Sequence, residues 1–367
     1  MGTFWGGAAN LALQRELIRI GNELGPVTVE VRSLGIASLH DYVAHAQRHG
    51  ARDALDLAIV PHEWLGQLTQ RETIGELPSE RVVVLKQRLL RQALLAVSEG
   101  ERVFGYPISA EVVALVYDPA AFPYPPRSMD EVLGGRYAPG ELPFALDLSS
   151  PTALAPLVGS IQGTMVDGDG NLVWRPDAVR DVLRRLRPAW GSPGGWRACR
   201  GSDLQSLQVQ LFAAGKLASF VAGPWLLQAL EDTGHPFAVT PVPAFDGATP
   251  ARALVGYECA VVLRESHWGD LALEVGARLL REEANERINI ATGHLPVLLS
   301  AYESRHGVAT AGSFGFLRAL EQGTFAPSTA SWDETLATAQ RQLAGFVSRS
   351  RPPTLDESAD ILTGGSR

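Results

Sequence analysis

Residues 54–64 read ALDLAIVPHEW. The run Ala54–Val60 is almost entirely aliphatic and reads as a buried strand. Pro61 stops it, because proline has no N–H to give to a sheet ladder. A helix starts at Trp64 and runs to Thr69. Upstream, Gly2–Trp5 is a short strand candidate ending in Gly6-Gly7, and Asn10–Leu24 is a helix whose apolar face is Leu11, Leu13, Leu17, Ile18 and Ile20. The stretch PVTVEV, Pro26–Val31, alternates as a strand does, and Leu39–His49 reads as helix. This β-α-β-α-β order with short joints predicts an α/β protein with an open, mostly parallel sheet covered by helices.

Downstream, Arg88–Glu99 reads as one helix closing at Gly100. The stretch ERVFGYPISAEVVALVYDPAAF, residues 101–122, reads as two apolar strands with Pro107 between them. Ser128, with Glu131 three residues on, has the capping-box pattern of a helix start. PFALDL is a strand, Pro151–Gly163 is helix or loop, and Pro176–Trp190 is a helix. VDGDGNLV, residues 166–173, carries a D-x-D-x-N spacing but lacks the Gly and the final Glu of a calcium loop, so it reads as a turn. GKLASFVAGPWLLQAL, residues 215–230, reads as strand, sharp turn and helix, with Trp225 on the turn. FAVTPVPAF contains a short strand, Leu254–Leu263 a longer one, and Leu271–Arg287 a long helix.

The totals set limits. A chain of 367 residues is too long for one ordinary hydrophobic core, so two domains are expected. No stretch approaches the ~20 uninterrupted apolar residues of a membrane helix. The formal charge is −8, from 32 basic and 40 acidic residues, and the basic residues are scattered; nucleic acid is not an expected partner. Cys199 and Cys259 form no C-x-x-C pair, which leaves structural zinc and thioredoxin-like chemistry without support. The first residues, MGTFWGGAANL, have neither the basic nor the apolar region of a secretory leader. That fits a cytoplasmic protein or one whose leader has been removed.

The motifs of several enzyme classes are missing. There is no G-x-S-x-G elbow, no H-E-x-x-H and no phosphate loop. His45 and His49 could share a helix face with His40 nearby, but no carboxylate or cysteine set accompanies them, so they read as a solvated face. No metal and no cofactor is expected.

What stands out is a set of aromatic and acidic residues at strand ends, where open α/β sheets bind ligands. Trp5 ends the first strand, His62, Glu63 and Trp64 follow the third, Ser109–Glu111 follow Pro107, and Trp225 and Tyr257 flank the second half. Sugars suit such a lining, since their C–H faces stack on rings and their hydroxyls bond carboxylates. Trp5 and Trp64 flank strong strand and helix signals and read as core. Glu111 lies between apolar runs, where a carboxylate is costly unless it is paired or faces a cleft. It therefore reads as functional, and so does Trp225 from its position after the turn.

Five stretches, taken in order, resemble the extracytoplasmic solute-binding proteins of carbohydrate ABC importers, of the maltose-binding type. They are TFWGG, LDLAIVPHEWLGQL, FGYPISAEVVALVYDPAAF, GKLASFVAGPW and GHLPVLLSAY. The resemblance implies a two-lobed periplasmic-binding-protein type II fold with hinge strands and a ligand cleft between the lobes. One lobe would comprise residues 1–109 and 257–308, the other 110–256 and 309–367. The crossings would fall near Pro107–Val112, Val255–Cys259 and Ala309–Phe314. By the same resemblance Glu111 would bond sugar hydroxyls and Trp225 would stack on a sugar ring. Tyr257, His62, Glu63 and Phe314 would add to the site. Ser150 and Thr152, with Ala155, stand where maltose binders carry aromatics and an acid, and WGGAAN lacks a charged pair found there in maltose binders. A mono-, di- or oligosaccharide other than maltose fits this departure.

The function so implied is non-enzymatic: a monomer outside the cytoplasm, its signal peptide absent from this chain, that binds a carbohydrate and passes it to membrane permease subunits. The alternatives are the same fold binding a non-sugar solute such as a glycerophosphodiester, a two-domain α/β enzyme, or a sugar sensor that reports to a receptor.

Overall fold

The computed structural model of the chain describes residues 1–45, 54–201, 203–304, 311–325, 330–354, 356–357 and 362. The chain divides into two compact units. Unit 1 comprises Met1–Glu111, Gly256–Ala309 and Phe325–Ala330; unit 2 comprises Val112–Val255, Thr310–Thr324 and Ser331–Arg367. The strands are β1 (Gly2–Thr3), β2 (Arg32–Ser33), β3 (Leu57–Pro61), β4 (Ser98–Glu99), β5 (Arg102–Val103), β6 (Tyr106–Val112), β7 (Ala114–Tyr117), β8 (Ser219–Ala222), β9 (Ala238–Thr240), β10 (Leu254–Val262) and β11 (Thr324–Phe325).

Unit 1 is organised on a sheet of order β11-β10-β3-β1-β2, with β6 added on β10. The pairs β1–β2 and β1–β3 are parallel, as the β-α-β-α-β reading requires. β10 runs antiparallel to β3, with Cys259 opposite Val60. It enters unit 1 on the return from unit 2 and so meets the first three strands from the opposite direction. The sheet is therefore mixed where a mostly parallel one was expected. β3 and β10 are buried along nearly their whole length, which accounts for their continuous apolar composition. The helices Gly7–Leu24 and Glu282–Thr292 pack together, joined by the Arg287 guanidinium on both oxygens of Glu16.

In unit 2, β7 is central and antiparallel to both β8 and β9. The expected strand PFALDL is reduced to isolated parallel bridges, Leu142 to Leu217 and Ala145 to Phe220. The helix Ala311–Gln322 lies on β9. Gly315 permits that approach, since a Cβ there would sit 2.4 Å from the Cβ of Val239. Trp190, Trp196 and Phe346 pack ring on ring in a second part of the core, with centroids 5.2–5.6 Å apart.

Several local expectations are corrected. Residues 26–31 do alternate, with Val27, Val29 and Val31 half-buried and Thr28 and Glu30 exposed, yet they form no strand. β1 bonds instead to the residues just after them: Arg32 N–H donates to Met1 O, and Leu34 N–H to Thr3 O. Arg88–Glu99 is not one helix. The helices Ser79–Arg88 and Arg91–Ala96 are separated at Leu89, which is extended and bridges Leu298, a long-range pairing invisible to local periodicity. Leu271–Arg287 likewise divides into Gly269–Leu279 and Glu282–Thr292, with Arg281 extended between them. Pro107 lies inside β6, near its start, and the break between β6 and β7 falls at Val113. A proline is tolerated near a strand's first residue because no ladder bond is lost there.

Other readings hold. Ser128 Oγ accepts from Glu131 N–H at 3.2 Å, and the Glu131 carboxylate accepts from Arg127 N–H. Asp167 Oδ1 accepts the backbone N–H of both Asp169 and Asn171, which closes the VDGDGNLV turn on itself. The histidine face is different: His40 is half-buried, edge-on against Trp64, and His45 bonds Asp41 just past the helix Ile36–Ala44, while His49 lies outside the described residues.

Candidate functional site

Side chains alternate across a strand, so residues two apart share a face. On β6 this places Ser109 and Glu111 together, and on the neighbouring β10 it places Gly256 and Glu258 together. The two pairs meet. A Cβ at Gly256 would lie 3.0 Å from Glu111 Cγ and 3.1 Å from its Oε1, so the glycine makes the room that the Glu111 side chain occupies. Ser109 Oγ donates to Glu258 Oε2 at 2.7 Å.

Two further groups converge on Glu258. Trp5, just past β1, donates its indole N–H to Oε1 at 2.9 Å. His294 Nδ1 lies 3.0 Å from Oε2, and its ring stands edge-on to Trp5 with centroids 6.1 Å apart. His294 is placed by the end of the helix Glu282–Thr292, where Gly293 takes the left-handed conformation (φ 74°) that favours glycine. The next residue, Leu295, exchanges backbone hydrogen bonds with Ala110 of β6.

The electrostatics follow from burial and proximity. Burial alone would lower the His294 pKa, but Glu258 beside it holds the imidazole above its ordinary value. The Glu111 carboxyl is pushed up to about 7, first by burial and then by the negative charge of Glu258, with His294 acting in the opposite sense. Among the described residues no protein donor is seen bonding the Glu111 carboxyl. Glu111, Glu258 and His294 offer atoms within 4.8 Å of one another, a spacing that would admit a cation. Both Glu258 oxygens, however, already accept protein N–H or O–H groups, and His294 lies against one of them. Glu258 is thus satisfied within the network.

Tyr257, between Gly256 and Glu258, faces the other side of β10 by the same alternation. It is 1% exposed, its ring stands edge-on to His62, and its hydroxyl is buried with no hydrogen-bond partner among the described residues. Its backbone N–H donates to His62 Nδ1, and His62 is fully buried and stacks on Phe325. Glu63 Oε2 lies 3.2 Å from His62 Nδ1 and remains partly accessible. Trp5 and Trp64 are both buried, in keeping with the core reading, although Trp5 is also a donor in the polar cluster.

In unit 2, Trp225 is the middle residue of the short 3-10 turn Pro224–Leu226 and is half-buried. Its ring folds back over Gly223, where a Cβ would sit 2.1 Å from ring carbons. Gly-Pro-Trp is thus one device: the proline starts the turn and the glycine seats the ring. Ser150 caps the helix Pro151–Gln162, its Oγ accepting from Ala153 N–H at 3.2 Å, while Thr152 and Phe314 are exposed.

The sequence reading overlooked Glu258 and His294. Glu258 carries the signal that singled out Glu111, a carboxylate inside an apolar strand, LVGYECAVV. His294 gave none, because only the pairing of Leu295 with Ala110 brings it to β6. A groove of about 430 Å³ in unit 1 runs along Pro26–Glu30, Asp56 and Trp268, and one of about 320 Å³ in unit 2 along Gly159, Thr249 and Arg252; neither includes any of these side chains.

The chain belongs to the bacterial extracellular solute-binding protein family, whose model matches residues 18–312. It is 20% identical over 285 residues to the maltotriose-binding protein of Pyrococcus abyssi (strain GE5 / Orsay), an alignment covering 75% of this chain and 61% of that protein. The chain thus spans about 61% of the length of the curated relative it matches. Its fold is similar to the Thermus thermophilus maltotriose-binding protein bound with maltotriose (TM-score 0.79, 21% identity, 99% of this chain and 97% of that one). It is also similar to the maltose-maltodextrin binding protein of Alicyclobacillus acidocaldarius (TM-score 0.76, 19% identity, 99% and 98%). The architecture is the two-domain, maltose-binding type of the periplasmic-binding-protein type II fold. Among the described residues no helix is long and apolar enough to cross a membrane.

Proposed function

We propose that this chain binds an uncharged carbohydrate outside the cytoplasm and delivers it to the permease of an ABC importer, acting as a monomer and without catalysing a reaction. The observation that carries this reading is Glu111: a half-buried carboxyl at a strand end, surrounded by polar groups that bond one another and not to it. Such a group is open to ligand hydroxyls, which both donate and accept. Trp225 is the ring on which a sugar face stacks. Glu63, Ser150, Thr152 and Phe314, each at least partly accessible, are its further candidate contacts, whereas the buried His62 and Tyr257 support β3 and β10 from behind. The relatives bind maltotriose or maltodextrin by name, which makes short glucose oligomers the first ligands to try.

Calorimetric titration with maltose, maltotriose, trehalose and glycerophosphocholine is the test. Saturable heat with a saccharide, lost or much weakened in Trp225→Ala and Glu111→Ala, supports the proposal. Binding of glycerophosphocholine alone, or saccharide binding that neither substitution alters, overturns it.

A further inference from the structure

The polar cluster of unit 1 contains two carboxyl groups and one imidazole within 4.8 Å of one another. The donors are unevenly shared. Glu258 accepts from Trp5 Nε1 and Ser109 Oγ and pairs with His294 Nδ1, while Glu111 has none of them. Two carboxylates this close do not both ionise freely in a buried site, and one counter-charge compensates only one of them. The remaining proton settles on the carboxyl with the fewest donors, which is Glu111. The other ionisable groups facing Glu111 are Glu63 and His62, of opposite effect and weaker than Glu258 and His294.

We propose that Glu258 is a positioning residue that keeps the proton on Glu111 in a substantial share of molecules at neutral pH, so that Glu111 meets a ligand as a hydrogen-bond donor as well as an acceptor. Trp5, Ser109 and His294 bond Glu258 and fix its carboxyl beside Glu111. Only the final step, contact with a ligand, rests on the carbohydrate reading above. A neutral acid suits an uncharged polyol, because it matches a hydroxyl at both of its oxygens.

Carboxyl ¹³C NMR of glutamate-labelled protein without ligand tests the proton placement directly. The expected result is one glutamate resonance titrating near pH 7, absent from Glu111→Gln and shifted down by at least one pH unit in Glu258→Gln. A Glu111 that titrates in the ordinary carboxylate range, or one unmoved in Glu258→Gln, overturns the proposal. Ser109→Ala provides a second route should Glu258→Gln fail to fold: with a donor taken from Glu258, the Glu111 midpoint falls, and an unchanged Glu111 midpoint counts against the proposal. Maltotriose then separates the two readings. If Glu111 titrates near 7 and maltotriose gives no heat, the choice of ligand fails while the proton placement stands.

Discussion

The indole N–H of Trp5 donates to Glu258 Oε1 at 2.9 Å, joining residues 253 positions apart in a buried contact. This bond ties the end of β1 to the middle of β10 and holds one wall of the polar cluster. Taking the donor away would leave a buried acceptor short of a partner. Trp5→Phe keeps most of the packing and deletes the donor. It should destabilise the protein by roughly 1.5–3 kcal/mol, measured as a lower urea midpoint with an unchanged slope. Equal stability would show that the bond contributes nothing net.

The ring of Trp225 over Gly223 yields a second prediction. Gly223 has extended backbone (φ −101°, ψ 169°), which any residue adopts, so Gly223→Ala strains only the 2.1 Å approach to the ring. The ring must move. Saccharide affinity should fall in Gly223→Ala, while Trp225→Ala should cost on the order of 1–1.5 kcal/mol, or five- to tenfold in Kd. Calorimetry of both variants against the wild type checks the pair.

Glu111 makes stability depend on pH in a defined sense. Its pKa rises from 4.5 to about 7 in the folded chain, so the folded state holds the proton more tightly than the unfolded state does. The stability this provides is fully present below pH 4.5 and is lost as pH rises toward and through 7, on the order of 3 kcal/mol in all. His294, also raised, adds a loss in the same direction over its own range. Subtracting the profile of Glu111→Gln isolates the Glu111 contribution: the difference should slope between pH 4.5 and 7 and be flat outside that window. The readout is urea unfolding at half-unit pH steps.

Tyr257 carries a buried hydroxyl with no hydrogen-bond partner among the described residues. Removing an unsatisfied polar atom relieves a desolvation cost, so Tyr257→Phe should be neutral or stabilising by up to about 1 kcal/mol. If the same variant loses saccharide binding at unchanged stability, Tyr257 reaches the ligand after all.

Much of the fold was legible because the signals are local. The helices Pro176–Trp190 and Gly7–Leu24, the cap at Ser128, the turn at Asp167 and the Gly-Pro-Trp device all arise from interactions within a few residues. Their boundaries follow from proline, glycine and capping chemistry that any short window contains. The helix breaks at Leu89 and Arg281 were not legible in this way, because each interrupts a run of good helix formers. At Leu89 the break comes from a bridge to Leu298, more than two hundred residues away.

The candidate site divides along the same line. Glu111 and Trp225 stand out in the sequence, one as a carboxylate in an apolar strand and the other as a large ring on a tight turn. Glu258, Ser109, Trp5 and His294 become one cluster only when β6 lies beside β10 and Leu295 pairs with Ala110. The choice between Tyr257 and Glu258 turns on strand parity. Adjacent residues on β10 point to opposite faces, and composition alone does not say which face meets Glu111. The amino-acid order determined the elements and supplied the unusual residues; the long-range strand pairing decided which of them share a face, and with it where the proton sits.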